Sequence, residues 1–383
     1  MNILHLEASS GWGGQEIRIL RESIGMRERG HLVVIAVMKG GKLKNKARAE
    51  GFEVYEVNFR RPSWPICLLQ LLMIIRRHKI DLVNTHSSLD SWVGGIAARL
   101  AKRKIIRTRH LSTPIKKGFN SRFLYGTLAD FVVTTCASIV PMISKQSGKK
   151  LKKCRSIATG VNPDAISVHP GESELFRQKI GVKQDDFLVG TACMMRSWKG
   201  IDDLLMAADI LRGIHNLKWV IIGGGHAERH HKKAEELKLS SIVTFTGHLD
   251  HPFSAIQALD VFALLSTTHE GVSQAILQAA YLERPLIATP TGGLKEVCLD
   301  GKTGRVVPPY SPEKIADAVV TMLDNPQLRT LFGQEAKKLV LEKFTMKHTL
   351  DEMERVYGEI FGNGACRQRK ESIESISSTQ GRK

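Results

Sequence analysis

Short apolar, β-branched runs alternate with longer stretches whose apolar residues recur every three to four positions, along most of the chain. Asn2–Leu6 reads as a strand and Gly11–Gly14 as the turn after it. Gln15–Gly30 follows as a helix, with Ile17, Leu20 and Ile24 on one face and Gly30 as its stop. The pattern then predicts strands at Leu32–Val37, Leu82–Thr85, Ile105–Arg107 and Phe131–Thr134. Helices are predicted at Pro65–His78 and Ser91–Leu100, and a basic helix around Val140–Lys153. Gly160-Val161-Asn162-Pro163 is a turn-rich stretch suited to a linker. A second series has strands at Phe187–Thr191, Trp219–Ile222, Ile242–Phe245, Val261–Leu265 and Leu286–Ala288. Its helices are predicted at Asp202–Leu211, Ala227–Lys238, Pro252–Ala258, Gln274–Leu282 and Pro312–Leu323. Such alternation predicts an α/β protein of mostly parallel sheets, covered on both faces. Two doubly wound domains are expected, at 1–160 and 161–345. A helix at 346–362 is expected to return to the first, and a Ser-, Gln- and charge-rich tail at 363–383 to be disordered.

Composition adds a lopsided charge. The chain has 383 residues, 42% hydrophobic and 25% charged, which excludes a disordered, collagenous or disulfide-stapled protein. The net charge is +18, yet residues 1–155 hold 29 basic and 10 acidic side chains while the remainder is nearly neutral. The two halves are therefore expected to meet different partners. The six cysteines (67, 136, 154, 193, 298 and 366) form no C-x-x-C pair and read as buried thiols of a reducing compartment. Met1–Glu7 leads straight into a strand, without the apolar stretch of a signal peptide. The longest nearly apolar run, Trp64–Ile75, is 12 residues, short of the ~20 a spanning helix needs. A cytoplasmic protein is expected. Trp64, Trp92 and Phe119 are not expected to form a stacking series among the basic residues, which argues against a nucleic-acid partner.

Ligands of open α/β sheets sit beyond the carboxyl ends of the strands, so the strand-to-helix turns are where chemistry is sought. Gly11-Trp12-Gly13-Gly14 opens a helix, where backbone N–H groups can approach a phosphate or sugar. It is not a dinucleotide fingerprint: Glu16 stands at the third glycine position, and no acid ends the second strand. Gly223-Gly224-Gly225 is a similar turn in the second half, equally readable as a tight turn without a ligand. Three pieces are more specific. Arg196-Ser197-Trp198-Lys199-Gly200 places two cations three residues apart after a strand, which suits a diphosphate or a solvated loop. Glu270 precedes Gly271-Val272-Ser273 at a predicted helix start, with Gln278 two turns on. Thr291-Gly292-Gly293-Leu294-Lys295-Glu296 follows the next strand.

With these motifs the chain resembles the retaining glycosyltransferases of family four. That resemblance implies a GT-B fold, two Rossmann-like domains facing across a cleft. Gly13-Gly14-Gln15-Glu16 resembles the family's opening Gly-Gly-x-Glu, and Arg196 with Lys199-Gly200 its R-x-x-K-G. Glu270-Gly271 resembles the start of its E-x7-E motif, residues 284–293 its glycine-pair segment, and Gly301-x-x-Gly304 its D-G-x-x-G. The second acid of E-x7-E is Gln278 here, which keeps one carbonyl acceptor but loses the charge.

The resemblance implies transfer of a sugar from a nucleotide-diphosphate sugar to an acceptor hydroxyl, with retention. Arg196, Lys199 and the amides of Gly271, Val272 and Ser273 would hold the diphosphate, Glu270 the donor sugar, and Gln278 the nucleotide. Gly13 and Gly14 would line the donor site. His110 would face the donor sugar, with His86 a second candidate; either histidine, and Glu270 as a helix-start acid, also has a purely structural reading. His230 and His231 read as surface residues. Asp185-Asp186 and Asp202-Asp203 read as turn and helix-start residues, so no D-x-D metal element is indicated and no metal or cofactor is expected. The basic first half points to an anionic, lipid-linked acceptor, such as a lipopolysaccharide-core glycan, at the cytoplasmic face of the inner membrane. A catalytically weak nucleotide-sugar binder and a nucleotide-sugar epimerase of the same fold are the alternatives.

Overall fold

A computed structural model describes residues 1–268 and 270–362. The tail expected to be disordered, with Cys366, lies outside the described residues, as does His269. The chain divides into two units. The first holds residues 1–110 and 114–157 together with the segment from Met346; the second holds Leu111–Thr113 and Ala158–Thr345.

The first unit is built on seven strands: β1 (Asn2–Glu7), β2 (Leu32–Met38), β3 (Glu53–Val57), β4 (Leu82–Thr85), β5 (Lys104–Arg109), β6 (Phe131–Thr134) and β7 (Cys154–Ser156). All pair in parallel, in the order β3-β2-β1-β4-β5-β6-β7. Its helices are α1 (Gly14–Glu28), α2 (Leu43–Ala49), α3 (Trp64–Arg77), α4 (Ser88–Leu100), the short α5 (Phe119–Ser121) running into a π-helical stretch at Arg122–Leu128, and α6 (Val140–Ser147). Strand β2 is apolar on both faces, Val33, Ile35 and Val37 packing in one core cluster and Val34 and Ala36 in another.

The second unit has β8 (Phe187–Ala192), β9 (Leu217–Ile222), β10 (Val243–Gly247), β11 (Val261–Leu264), β12 (Leu286–Ala288) and β13 (Gly304–Val306), all parallel in the order β10-β9-β8-β11-β12-β13. Its helices are α7 (Glu172–Lys179), α8 (Ile201–Ile210), α9 (Glu228–Glu236), α10 (Phe253–Gln257), α11 (Gln274–Tyr281), α12 (Pro312–Asp324) and α13 (Pro326–Lys343).

The last helix, α14 (Met346–Phe361), completes the first unit. Leu350, Met353, Val356 and Tyr357 are buried in the same cluster as Ile19, Met26, Ile35 and Phe131. Arg29 of α1 pairs with Asp351 at 2.7 Å and Glu354 at 2.6 Å, and Arg155 of β7 with Glu359 at 2.6 Å. Beneath them Arg18 and Glu22 form a fully buried pair at 2.7 Å, and Arg18 also donates to the Ile157 carbonyl. Burial holds the Tyr357 phenol well above its usual range, so it stays a donor, directed at Glu22.

Several elements differ from expectation. The basic helix expected to reach Lys153 ends at Ser147, because Gly148 takes a left-handed conformation and returns its N–H to the Ser144 carbonyl. A 3-10 turn at Leu151–Lys153 and β7 follow. Strands β3, β7 and β13, and helices α2, α5, α7 and α13, escape the sequence pattern; the three strands are only three to five residues long. The aromatic residues are also a correction. Trp64, Trp92, Phe123 and Phe119 do stack in series, with ring centroids 6.4, 5.4 and 5.7 Å apart, because α3, α4 and the 119–128 helical stretch are neighbours.

Truncating Met353 empties a site that is fully enclosed. Met353→Ala is expected to lower unfolding stability by about 2–4 kcal/mol. Lys347→Ala, which removes an 81% exposed partner of Asp351, should change it by less than about 0.5 kcal/mol. Denaturant midpoints of the two variants check this.

Candidate functional site

Each sheet reverses its strand order once. In the first unit the reversal falls between β1 and β4, in the second between β8 and β11. At such a reversal the connections leave in opposite directions, and a crevice opens beyond the strand ends. The motif residues lie at these two places. Gly13 and Gly14 follow β1 and His86 follows β4, with His110 after the adjacent β5; Lys199 follows β8 and Glu270 follows β11.

In the second unit the Lys199 ammonium meets the Glu270 carboxylate at 2.6 Å, and the Ser266 hydroxyl donates to the same oxygen at 2.7 Å. Both ionic side chains are largely buried, 14% and 10% exposed. Gly200 allows this. Its φ is +68°, and a Cβ there would lie 2.1 Å from the Leu265 carbonyl oxygen, so only glycine lets the loop after β8 close onto β11. Gly292 does the same from β12: with φ +57°, a Cβ would sit 1.7 Å from the Glu270 carbonyl oxygen. Arg196 is exposed, its guanidinium 5.2 Å above the Trp198 ring. Helix α11 starts at Gln274, with Ser273 as its N-cap; no side chain caps it and its first turn holds no acid. Its end thus presents first-turn N–H groups and a positive dipole next to Gly271 and Val272. Gln278 is half-buried one turn on, and its amide makes no hydrogen bond among the described residues. Burial raises the nearby Cys193 thiol to about 11, so it stays protonated.

The Gly301-x-x-Gly304 segment is a turn that Thr303 ties down: its hydroxyl donates to the Val297 carbonyl at 2.6 Å and accepts the Leu299 amide at 2.7 Å. Arg284 is likewise structural, donating to the carbonyls of Gln257 and Leu259. His230 corrects the sequence reading. It is buried, with Nδ1 2.8 Å from Asp202, because it shares with Ala234 the face of α9 turned to α8. His231 is exposed and packs against Phe245. Asp202 and Asp203 begin α8.

In the first unit the Gly13-Gly14-Gln15-Glu16 turn caps α1. Glu16 accepts the Gly13 N–H at 2.8 Å, a local role for that acid. Apart from its chain neighbours and the backbone of its own helix, nothing described lies within 4 Å of a Cβ placed on Gly14. Below the turn, Glu7 accepts the Ser9 amide and the Gln15 side-chain amide. Asp90 accepts the amides of Ala8, His86 and Ser87. Burial and the Asp90 charge push the Glu7 carboxyl up to about 8, and burial pushes Asp90 up to about 6. Beside them His5, His86 and His110 line up: His5 Nδ1 is 2.9 Å from His86 Nε2, and His86 Nδ1 is 2.9 Å from His110 Nε2. Desolvation lowers all three, His86 and His110 furthest. Ser266, Glu7, Asp90 and His5 were not singled out from the sequence; only Ser266, four residues before Glu270 in one loop, carried a local signal.

Two family descriptions match the chain: Glycosyltransferase Family 4 over residues 12–165 and Glycosyl transferases group 1 over residues 172–339. The chain is a glycosyltransferase. The putative glycosyltransferase EpsD of Bacillus subtilis is 27% identical to it over 310 residues, 75% of this chain and 79% of that protein. The capsular polysaccharide biosynthesis glycosyltransferase CapM of Staphylococcus aureus is 26% identical over 306 residues, 76% and 80% respectively. Anabaena Alr3699/HepE, solved in complex with UDP, has the same fold: TM-score 0.83 at 20% identity, covering 94% of this chain and 100% of that one. The glycosyltransferase thus has the expected GT-B architecture of two parallel-sheet units.

Two outcomes follow for this glycosyltransferase. Lys199→Met strands a buried carboxylate and should destabilise the protein by about 1–3 kcal/mol. Adding Glu270→Gln to it should recover part of that loss, as read by chemical unfolding of the single and double variants. Glu7 keeps its proton to about pH 8 when folded but loses it near 4.5 when unfolded. The folded state therefore binds the extra proton between those values, and stability should fall as pH rises from ~5 to ~8.5. Glu7→Gln should flatten that slope in a pH series of unfolding free energies.

Proposed function

We propose that this glycosyltransferase is a retaining enzyme that moves a sugar from a nucleotide-diphosphate sugar to an acceptor hydroxyl on a lipid-linked envelope glycan, of the lipopolysaccharide-core kind. The observation that carries the donor half is the Lys199–Glu270–Ser266 cluster, set at a strand-order reversal beside an uncapped helix end. Bond cleavage at the anomeric carbon leaves negative charge on the diphosphate and positive charge on the sugar ring. Lys199, Arg196 and the amides at Gly271, Val272 and Ser273 are preorganised donors for the first charge. Glu270, held by Ser266, orients the sugar hydroxyls. His110 serves the donor sugar from the first unit, and Gly13 and Gly14 leave room for close approach of the donor. Fixed cations and helix-end N–H groups supply the positive charge here, so the transfer needs no metal. Among the described residues no three His, Cys, Asp or Glu side chains form a group that could hold one.

Gln278 favours a second reading, a weakly active nucleotide-sugar binder: it offers a neutral amide where an acid would accept two ribose hydroxyls. Turnover separates the two.

The acceptor half rests on charge and on one helix face. None of the described helices is long and apolar enough to cross a membrane. On α3, Ile66, Leu69 and Met73, at spacings of three and four, are 62–65% exposed. Arg60, Arg61, Arg76 and Arg77 stand exposed at its two ends. An apolar row between cations fits an anionic leaflet, each basic residue near the surface contributing about 1 kcal/mol. We place the enzyme at the cytoplasmic face of the membrane on this ground.

Glu270→Gln should nearly abolish transfer. Arg196→Ala should cut kcat/KM at least about tenfold, the loss of one charge-assisted bond. The rate should survive EDTA unchanged, and Gln278→Glu should tighten nucleotide binding. Full activity of Glu270→Gln, or loss with EDTA, would remove the site as drawn. Sedimentation with anionic vesicles should be strong at low salt, weaken as salt rises, and be reduced by Leu69→Asp. Protein left in the supernatant at low salt would end the membrane part.

A further inference from the structure

The three-histidine line in the first unit has more order than a packed core requires. His5 sits in the middle of β1, His86 just past β4 and His110 just past β5, on three adjacent strands. The rings of His5 and His86 stack at 5.1 Å between centroids, and those of His86 and His110 lie 5.2 Å apart. His5 and His86 are buried to about 1% exposure or less; His110, at the end of the line, keeps part of its surface open. A neutral imidazole has one N–H and one lone pair. Two hydrogen bonds among three neutral rings therefore leave only two arrangements, with all three protons pointing one way or all three the other.

The inner end decides between them. His5 Nε2 is buried and has no hydrogen-bond partner among the described residues. If the protons point inward, that atom is an orphaned N–H; if outward, it is an orphaned lone pair. Buried N–H groups without partners are the rarer and costlier defect. The outward arrangement is favoured: His5 Nδ1–H donates to His86 Nε2, His86 Nδ1–H donates to His110 Nε2, and His110 is left with its proton on Nδ1. His86 is in turn pinned through its backbone N–H, which Asp90 accepts at 3.1 Å. Thr135 holds the His110 carbonyl at 3.0 Å.

We propose that His5 and His86 are positioning residues that fix His110 as a neutral Nδ1–H donor, so that it can donate to a substrate oxygen without bringing a permanent charge to the site. The tautomer of a ring is set by the bond its other nitrogen makes. His5 thus reaches the surface through two rings and never touches the substrate. This deepens the reading of His110 as a donor-site residue and rests on it.

The test uses the full chain labelled with 15N-histidine, with the His110 signals assigned by their loss in His110→Gln. In the unaltered protein His110 Nδ1 should show the protonated type of nitrogen shift and Nε2 the unprotonated type. His5→Leu removes the first donor of the line and should mix or reverse the two. kcat should fall about tenfold, the scale of losing an orienting partner behind a working residue, with the KM for nucleotide sugar changed less than about twofold. His5→Asn, whose amide N–H₂ stands near the place of Nδ1, should restore both readouts. If His5→Leu does not fold, His5→Gln replaces it: its amide stands near the Nε2 position and should fail in the same way. Three results would each overturn the proposal: an Nε2–H tautomer at His110 in the unaltered chain, His110 shifts indifferent to His5, or altered shifts with an unaltered kcat. Absence of any transfer by the unaltered chain would instead count against the enzyme reading, while the nitrogen shifts still decide the tautomer.

Discussion

Parallel strands joined by right-handed crossovers can extend a sheet in one direction only, until the chain returns to the middle and builds the other way. Each unit does this once, and everything chemical in the molecule hangs on those two reversals. The β8–β11 reversal brings together loops separated by some seventy residues, so that a lysine and a glutamate share one buried contact. The β1–β4 reversal places a glycine turn, two buried carboxylates and a histidine line side by side. Both sets are held by backbone that only glycine, or a capping acid, lets close.

The two sites are charged in different ways. In the second unit burial is compensated: Lys199 and Glu270 neutralise each other, and Ser266 fills one remaining lone-pair direction. In the first unit burial is met by neutralisation of the groups themselves. Glu7 holds a proton to about pH 8, and desolvation lowers the three imidazoles, which favours their uncharged forms.

Much of this was legible in the sequence because it is local. Long apolar runs such as residues 32–38 declare a strand buried on both faces, and the loops bearing Arg196, Lys199 and Glu270 follow such runs directly. What was not legible depends on distant pairings. His5 looks like any other strand residue until His86 is placed 2.9 Å away. His230 sits in a polar stretch and turns inward only because Asp202, on another helix, receives it. The Trp64–Trp92–Phe123–Phe119 series runs from residue 64 to residue 123 with no period, so no short window along the sequence contains it. Strands β7 and β13, Cys154-Arg155-Ser156 and Gly304-Arg305-Val306, hold no apolar run of the kind that marks the equally short β12, Leu286-Ile287-Ala288.

The last helix carries a consequence for how the chain is made. Part of the first unit's core, Leu350, Met353, Val356 and Tyr357, is encoded after the whole of the second unit. A chain leaving the ribosome presents its first 157 residues long before that wedge exists, with the surface around Ile19, Met26 and the Arg18–Glu22 pair still open. Units of most multidomain chains close in the order they are synthesised. This one cannot: its N-terminal half waits, basic and incompletely packed, while the second unit is synthesised and free to fold, and is sealed only when residue 361 emerges.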